Sequence, residues 1–490
     1  TETVGTVWMG LTFTCCRCHD HKFDLLTQRD YYSLFSFFNN TPVNGGGGDP
    51  ATAPNISVGT PVQKKEIADL EKKILALGKE QETGRAAAKK RITAIRKSFP
   101  KVMVMRDGKP RQTKVLTRGV YNQPSDVAVT SNTPESLPAF PEGAPKNRLG
   151  LAVWLVDEQH PLTARVTVNR IWQQFFGTGL VKTAENFGVQ GEKPSHPELL
   201  DWLASEFIAK GWSVKQLHQL IMTSETYRRA SMHPDVDRLA KLDSGGNSYA
   251  VFRPRRLAAE ELRDAMLAVT GELNRKPGGI PARPDMNLEA ALQPRMIMGT
   301  FAPSYVPDTK PAQRNRRSVY ALKLRGQRDP FMTTFNQPGP DKSCELRDSS
   351  NVTPQVFTLF NSEESADRAL AFAARVLKET KGDGEAVRRA FRLAFGRVPN
   401  KAEAGDALQL WEETTKEQAK RNPKPRTYPT EVIRSANEEN TGQTFTFVEK
   451  LFEYQDYQPD LQPHQVDART RGFADLCLAL LNANEFLYVY

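Results

Sequence analysis

The apolar residues of this chain recur mostly every three or four positions, which is the spacing of an amphipathic helix. Thr27 followed by Asp30 is a helix-start signal, and the helical spacing continues after it. Between residues 62 and 100, two apolar stripes separated by glycines predict a helical hairpin. The same spacing predicts further helices near residues 214–229, 256–270, 354–375, 385–395, 401–414 and 470–484. The sequence therefore predicts a mainly α, multi-helix fold.

Alternation of polar and apolar positions, which is typical of strands, is confined to short segments. Residues 101–105 alternate, Asp107 and Gly108 form a turn signal, and residues 114–116 return, which predicts a β-hairpin. A second alternating segment, residues 317–325, predicts another strand. The predicted β component is therefore a small hairpin and strand contribution to a helical protein.

These patterns divide the chain into five predicted parts. Residues 1–45 form an N-terminal segment, and residues 46–61 form a loop that contains four consecutive glycines. The helical hairpin occupies residues 62–100, and a β-hairpin with a proline-rich linker occupies residues 101–145. Residues 146–490 are predicted to form a large helical C-terminal domain.

Composition and charge narrow the class of protein. The 490 residues include 67 Lys and Arg against 57 Asp and Glu, a net charge of +10 that favours acidic partners. No nucleic-acid-binding motif is present, so we expect no nucleic acid partner. No apolar run approaches the ~20 residues that span a bilayer, so we expect no transmembrane segment. Without an initiator Met or a signal peptide, the chain is expected to be a processed or truncated product.

A cysteine and histidine motif near the N-terminus is the strongest chemical signal. Cys15, Cys18 and His19 have the C-x-x-C-H spacing of covalent c-type haem attachment. Two thiols three positions apart reach the two vinyl groups of a porphyrin, and the next residue directs an imidazole at the iron. The pattern predicts a c-type haem motif, with His19 as the proximal ligand of the iron and both thiols as anchors.

Other uses of these thiols stay open at the level of sequence. Thiolates and imidazoles also bind zinc, although a structural zinc site usually needs a second ligand pair elsewhere in the chain. A disulfide is the other alternative, and the connectivity of Cys16, Cys344 and Cys477 cannot be deduced from the sequence.

The surroundings of the motif resemble a known family. The run C-C-R-C-H-D-H-K-F-D, which begins at Cys15, and the run Q-R-D-Y-Y, which begins at Gln28, resemble the end of the planctomycete cytochrome-C-like domain. Cys16 stands where that family usually has Ala, and Leu25 where it has Pro. The resemblance implies covalent haem c, an extracytoplasmic location in the periplasm or at the cell surface, and an upstream part of the same precursor or other subunits. It makes residues 1–45 the end of a longer domain.

The rest of the chain resembles the companion C-terminal planctomycete domain of unknown function. The run T-K-V-L-T-R-G from Thr113 is similar to the segment that bridges the two domains in that family. Further similar segments begin at Arg148, Pro161, Phe187, Pro194, Thr223 and Leu480. The resemblance also implies a link to polysaccharide metabolism.

Several polar residues outside the motif are candidates for a site. His196 and His21 are candidates for catalysis; His196 could also be a second iron ligand, or a helix N-terminal residue. Four residues of one predicted helix would suit an acidic glycan, or they could form salt bridges between helices. These substrate-binding candidates are Arg165, Asn169, Arg170 and Trp172. A second basic run, with the same alternatives or as partners of haem propionates, consists of Arg314, Arg316 and Arg317 near Tyr320.

Three functional hypotheses follow from the sequence. The first is an extracytoplasmic c-type haem protein with an oxidoreductase or electron-transfer role and a redox partner protein. The second is a non-redox protein that binds glycans or assembles at the cell surface, with the Cys/His cluster holding zinc or a disulfide. The third is a metal-dependent hydrolase built on His19, His21, Asp24 and His196.

Overall fold

The fold is known from a computed structural model, which describes residues 1–41, 53–77, 81–297, 300–341, 344, 347–438 and 441–490. Helices account for 47% of the described residues and strands for 9%, in small antiparallel sheets. The predicted mainly α fold with a small strand component is thus confirmed. Residues 46–52 of the predicted 46–61 loop lie outside the described residues. None of the described helices is both long and apolar enough to cross a membrane.

The chain forms two compact units. Unit 1 contains Thr1–Val168, Glu185–Pro194 and Glu198–Trp212. Unit 2 contains Asn169–Ala184, Ser195–Pro197 and Ser213–Tyr490. The five-part division read from the sequence follows chain order, whereas these units gather separate segments; that division stays a prediction.

Unit 1 is built around the Gln28–Ser36 helix. Thr27 and Asp30 form the predicted capping box, in which each side chain bonds the other residue's backbone N–H. The helix buries Tyr32 and Leu34 against Phe13, among other apolar side chains. The α-helices within unit 1 are Glu2–Val4, Gln28–Ser36, Pro61–Ala76, Glu82–Lys97 and Arg148–Leu155. Its shorter turns are Gly5–Met9, Phe13–Arg17 and Thr117–Gly119. Two more helices, Thr163–Phe176 and Pro197–Ala209, carry residues of both units.

The strands of unit 1 pair differently from the prediction. Lys101–Met103 pairs with Asn55–Ser57, on the other side of the helical hairpin. Thr113–Leu116 pairs with Pro124–Val129 instead. The predicted β-hairpin of residues 101–105 with residues 114–116 is therefore wrong. The alternating pattern identified the strands correctly, but pairing depends on contacts that alternation does not encode.

Unit 2 has a helical core around the Ala468–Leu481 helix. This helix contacts the Glu363–Glu379 and Lys401–Ala419 helices, and Phe473 lies 4.4 Å from Trp411 between ring centres. The other α-helices of the unit are Val214–Met222, Val236–Leu242, Ala259–Thr270, Leu288–Ala291, Pro311–Arg314, Pro330–Thr334, Thr353–Asn361, Asp383–Phe395 and Asn484–Leu487. Its 3₁₀ turns are Ser318–Tyr320, Phe452–Gln455 and Pro463–Gln465.

Short antiparallel pairs supply the strands of unit 2. They are Arg255–Arg256 with Tyr488–Val489, Arg295–Ile297 with Thr300–Ala302, and Glu431–Asn437 with Thr444–Lys450. The predicted strand at residues 317–325 is wrong. Ser318–Tyr320 forms a 3₁₀ turn, in which the Ser318 backbone N–H donates to the Asp264 carboxylate at 2.7 Å instead of to a strand. Ala321 and Leu324 form isolated bridges, to Ala282 and Gln327.

Candidate functional site

The Phe13–Arg17 turn divides the neighbouring cysteines between core and surface. The Cys16 side chain is 0% exposed, and its thiol points at the Leu26 carbonyl, 3.7 Å away. Burial raises the pKa of the Cys16 thiol to about 12, so it stays protonated and unreactive at neutral pH. Cys15 and Cys18 are exposed, and none of the three forms a disulfide. The surface therefore presents the two thiols with C-x-x-C spacing.

His19 has one ring nitrogen engaged and the other open. Its Nδ1 lies 2.6 Å from the Asp20 carbonyl oxygen, which can only accept a hydrogen bond, so Nδ1 carries the proton. Its Nε2 has no hydrogen-bond partner among the described residues. A ring held through Nδ1–H by a backbone carbonyl is the usual arrangement of a histidine that binds a metal through Nε2.

His21 has both ring nitrogens engaged. Its Nδ1 accepts hydrogen bonds from the backbone N–H groups of Phe23 at 3.2 Å and Asp24 at 2.8 Å. Its Nε2 therefore carries the proton and donates to Thr12 Oγ1 at 2.9 Å. The Asp24 carboxylate, 3.6 Å from Nδ1, does not form an ion pair with a ring in this neutral form. His21 holds the loop after the motif together, and its catalytic role stays a prediction.

The two acids of the motif anchor the same loop. The Asp20 carboxylate accepts the backbone N–H of Gln28, at the first residue of the next helix, at 2.7 Å. The Asp24 carboxylate accepts the backbone N–H of Val189 at 2.7 Å, in a close contact with Gly188. Both carboxylates fix backbone, and neither is bonded to His19 among the described residues.

Two elements support the motif: the Gln28–Ser36 helix, whose Q-R-D-Y-Y run belongs to the resemblance, and the Thr113–Leu116 strand with the turn that follows it. The Gln28 side-chain amide donates to the carbonyls of Arg17 and Leu116, both at 3.1 Å. The Tyr32 hydroxyl donates to the same Arg17 carbonyl at 3.0 Å. A Cβ placed on Gly119 would lie 2.9 Å from Cys18 Sγ. The similarity of the Thr113–Gly119 run to a family segment was the one sequence signal for this neighbour.

His196 lies in unit 2, whereas the C-x-x-C-H motif lies in unit 1. Its Nδ1 is 3.0 Å from Ser195 Oγ, and its ring is 5.6 Å from the Tyr249 ring between centres. These contacts do not test the predicted catalytic role of His196, which stays a prediction.

The four predicted substrate-binding residues of the Thr163–Phe176 helix have structural partners. Arg165 forms a salt bridge with Asp201 at 2.7 Å. The Asn169 side chain is buried and exchanges two hydrogen bonds with the Val181 backbone. Trp172 is buried and its Nε1 donates to the Tyr249 hydroxyl at 2.9 Å, while Arg170 donates to the Ala184 carbonyl at 3.4 Å. Asn169 and Trp172 therefore present no surface to a glycan.

Arg314 of the second basic run belongs to a buried charge network in unit 2, whereas the Arg317 side chain is 56% exposed and lies 3.6 Å from Asp264. Arg314 is 0% exposed and pairs with Asp285 at 2.7 Å and Asp460 at 3.0 Å. Asp460 also pairs with the buried Arg368. Arg316 donates to backbone carbonyls and lies over the Tyr320 ring. The sequence does not reveal this network, because its members are far apart in the chain.

The described part of the chain contains no group of three or more His, Cys, Asp or Glu side chains arranged to hold a metal ion. Cys15 and Cys18 could instead anchor the ring of a planar cofactor that holds its iron by four ring nitrogens, and His19 could offer an imidazole to that iron. Their exposure and the open Nε2 fit that use.

Fold and site together define a mainly helical, two-unit protein with an exposed C-x-x-C-H segment. The family model described as "Protein of unknown function (DUF1553)" matches residues 147–411, which is more than half of the chain. The model described as "Protein of unknown function (DUF1549)" matches residues 1–43. The chain belongs to the DUF1553 family, so the predicted companion domain of unknown function is confirmed. A search of curated proteins and a search of solved structures gave no match.

Proposed function

We propose that the chain is an extracytoplasmic c-type haem protein with an electron-transfer or oxidoreductase role. The observation that carries the proposal is the separation of the cysteines by the Phe13–Arg17 turn. Cys16 is buried as an unreactive thiol, whereas Cys15 and Cys18 are exposed. The spacing that remains at the surface is the spacing of haem attachment.

The state of His19 supports the same proposal. Its Nδ1–H donates to the Asp20 carbonyl, which fixes the tautomer of the ring. In this tautomer Nε2 carries a lone pair that can bind a metal. His19 would hold the iron through Nε2, and Cys15 and Cys18 would anchor the porphyrin. Bound haem supplies one-electron redox chemistry.

Location and partners follow from the attachment chemistry. Covalent haem c is made outside the cytoplasm, so the proposal places the protein in the periplasm or at the cell surface. A net charge of +10 favours an acidic redox partner or an acidic glycan. The link to polysaccharide metabolism that the resemblance implies stays a prediction.

The other two hypotheses have less support in the described residues. Both ring nitrogens of His21 are engaged, and no group of three or more metal-ligating side chains is present in the described ranges. These facts weigh against zinc and against a metal-dependent hydrolase. The burial of Asn169 and Trp172 weighs against glycan binding by that helix.

The test is to produce the chain in the periplasm of a host that matures c-type cytochromes. We expect a Soret band, α and β bands after reduction, and a mass increased by one haem. Cys15→Ala and Cys18→Ala should each lose one thioether bond, and the double variant should lose all covalent haem. Cys16→Ala is the matched control and should keep the haem, because Cys16 faces the core.

His19→Ala separates iron ligation from attachment. This variant should keep the covalent mass increase, because both thiols remain, but its visible spectrum should change with the loss of the axial ligand. A colourless wild-type protein with the mass of the bare polypeptide would overturn the proposal.

A further inference from the structure

The Thr117–Gly119 turn lies directly against the Cys18 thiol. Arg118 has φ +50° and Gly119 has φ +70°, so both backbones are left-handed, a conformation that glycine adopts without the steric cost of a side chain. A Cβ at Gly119 would lie 2.9 Å from Cys18 Sγ and 3.1 Å from the Arg17 carbonyl oxygen. The thiol therefore occupies space that any side chain at position 119 would need.

Hydrogen bonds fix this contact in place. The Gln28 amide bridges the carbonyls of Arg17 and Leu116, which are the residues just before Cys18 and just before the turn. The Tyr32 hydroxyl holds the Arg17 carbonyl from a second direction. Cys15 is placed differently: its backbone N–H bonds the Thr12 carbonyl at 3.2 Å, within its own turn.

We propose that Gly119 is a positioning residue for the second thioether bond, the one at Cys18, and that Cys15 is independent of it. This inference rests on the proposed function. In the attachment step the S–H bond adds across a vinyl C=C bond: sulfur bonds one vinyl carbon, the hydrogen goes to the other, and nothing is oxidised or reduced overall. By lacking a side chain, Gly119 lets Cys18 Sγ keep the position that its fixed backbone gives it.

The first test uses the haem-free chain and does not depend on haem. In Gly119→Ala the added methyl group should force the Cys18 thiol into another rotamer, away from the turn and toward solvent. We expect its alkylation by N-ethylmaleimide, followed by peptide mass mapping, to be at least threefold faster than in the wild type. The rate at Cys15 should be unchanged. Equal Cys18 rates in variant and wild type would contradict the inference.

A matched control separates the contact from backbone strain. Gly143 is also in unit 1 and has φ +74°, but no described atom lies within 4 Å of a Cβ placed there. Gly143→Ala should therefore carry the same strain and leave both thiol rates unchanged. If circular dichroism shows that Gly119→Ala does not fold, Gln28→Leu is the second variant. It removes the hydrogen bonds that hold the carbonyls of Arg17 and Leu116 and adds no side chain at position 119. It should also speed alkylation of Cys18, and an unchanged rate would contradict the inference.

The second test uses the chain matured with haem. Gly119→Ala should carry haem attached at Cys15 with a free, alkylatable Cys18, whereas Gly143→Ala should keep both thioether bonds. Two intact bonds at wild-type yield in Gly119→Ala would refute the positioning role and leave the proposed function standing. Absence of haem from the wild type would refute the proposed function, and the alkylation rates would still show whether Gly119 positions the thiol.

Discussion

At the scale of single residues, position in the local fold separates chemically similar side chains. His19 and His21 are two positions apart. In the part of the chain that the structure describes, Nε2 of His19 has no hydrogen-bond partner, whereas both ring nitrogens of His21 are bonded. The sequence could give the spacing of the motif, because spacing is a property of the chain. It could not assign His21 its structural role, because the Thr12 hydroxyl and the loop amides reach it only after folding.

At the same scale, the buried side chain of His160 should make the stability of the fold depend on pH. Its ring is 3% exposed, accepts the backbone N–H groups of Leu162 and Thr163 at Nδ1, and packs on Trp154. Burial lowers the pKa of His160 to about 4, against an opposing effect of the Asp157 charge. The unfolded chain, with an ordinary histidine pKa of 6.5, binds this proton more readily than the folded chain. The stabilisation is complete above pH 6.5 and is lost as the pH falls toward 4.

We therefore expect wild-type protein to lose about 2–3 kcal/mol more unfolding free energy than His160→Asn between pH 7 and pH 4.5. Asparagine can still accept the helix N–H groups but does not titrate. Urea unfolding at both pH values measures the difference. His218→Asn, which removes an exposed histidine, should follow the wild type. An equal loss of unfolding free energy in the wild type and in His160→Asn would show that His160 does not cause the pH-dependence.

At the scale of elements, the sequence predicted helices well and pairings poorly. The helix predicted near residues 401–414 extends over Lys401–Ala419, and the one near 470–484 is Ala468–Leu481. Their periodicity and caps are local properties. The partner of Lys101–Met103 lies before the helical hairpin, at Asn55–Ser57, and nothing local identifies it. The Gly119 contact with Cys18 escaped prediction for the same reason.

The crossing of the Lys401–Ala419 and Ala468–Leu481 helices requires a glycine. A Cβ at Gly472 would lie 2.6 Å from Thr415 N and 2.7 Å from Thr415 Cα, which are backbone atoms that cannot rotate away. Gly472→Ala should force the helices apart and lower the unfolding free energy by about 3 kcal/mol, the upper end of typical overpacking costs. Chemical denaturation followed by circular dichroism measures it.

Gly405 is the matched control on the partner helix. It is exposed, and no described atom lies within 4 Å of its added Cβ. Gly405→Ala should raise the unfolding free energy by about 0.5–1 kcal/mol, because alanine loses less conformational entropy in a helix. If the two substitutions changed the unfolding free energy by similar amounts, the close helix crossing would not be the reason that position 472 is a glycine.

At the scale of the whole molecule, net charge should govern the rate of encounter with redox reagents. A chain of charge +10 attracts anions over distances comparable with the ~8–10 Å Debye length of physiological salt. For the haem-loaded protein, oxidation by ferricyanide should slow as ionic strength rises. Oxidation by a cationic cobalt complex should accelerate instead. Stopped-flow kinetics checks both, and two rates that respond alike to salt would show that net charge does not steer the encounter.

The strand pair Asn55–Ser57 with Lys101–Met103 has a consequence for the insertions that unit 1 can accept. Ser57 faces Lys101, so the chain departs toward the helical hairpin and comes back at neighbouring points. The hairpin has its own small apolar core of Ile67, Ile92 and Ile95. Because its two ends are adjacent and its core is separate, the hairpin could be lengthened, shortened or exchanged without displacing the strand pair. A reporter domain could be grafted there in the same way.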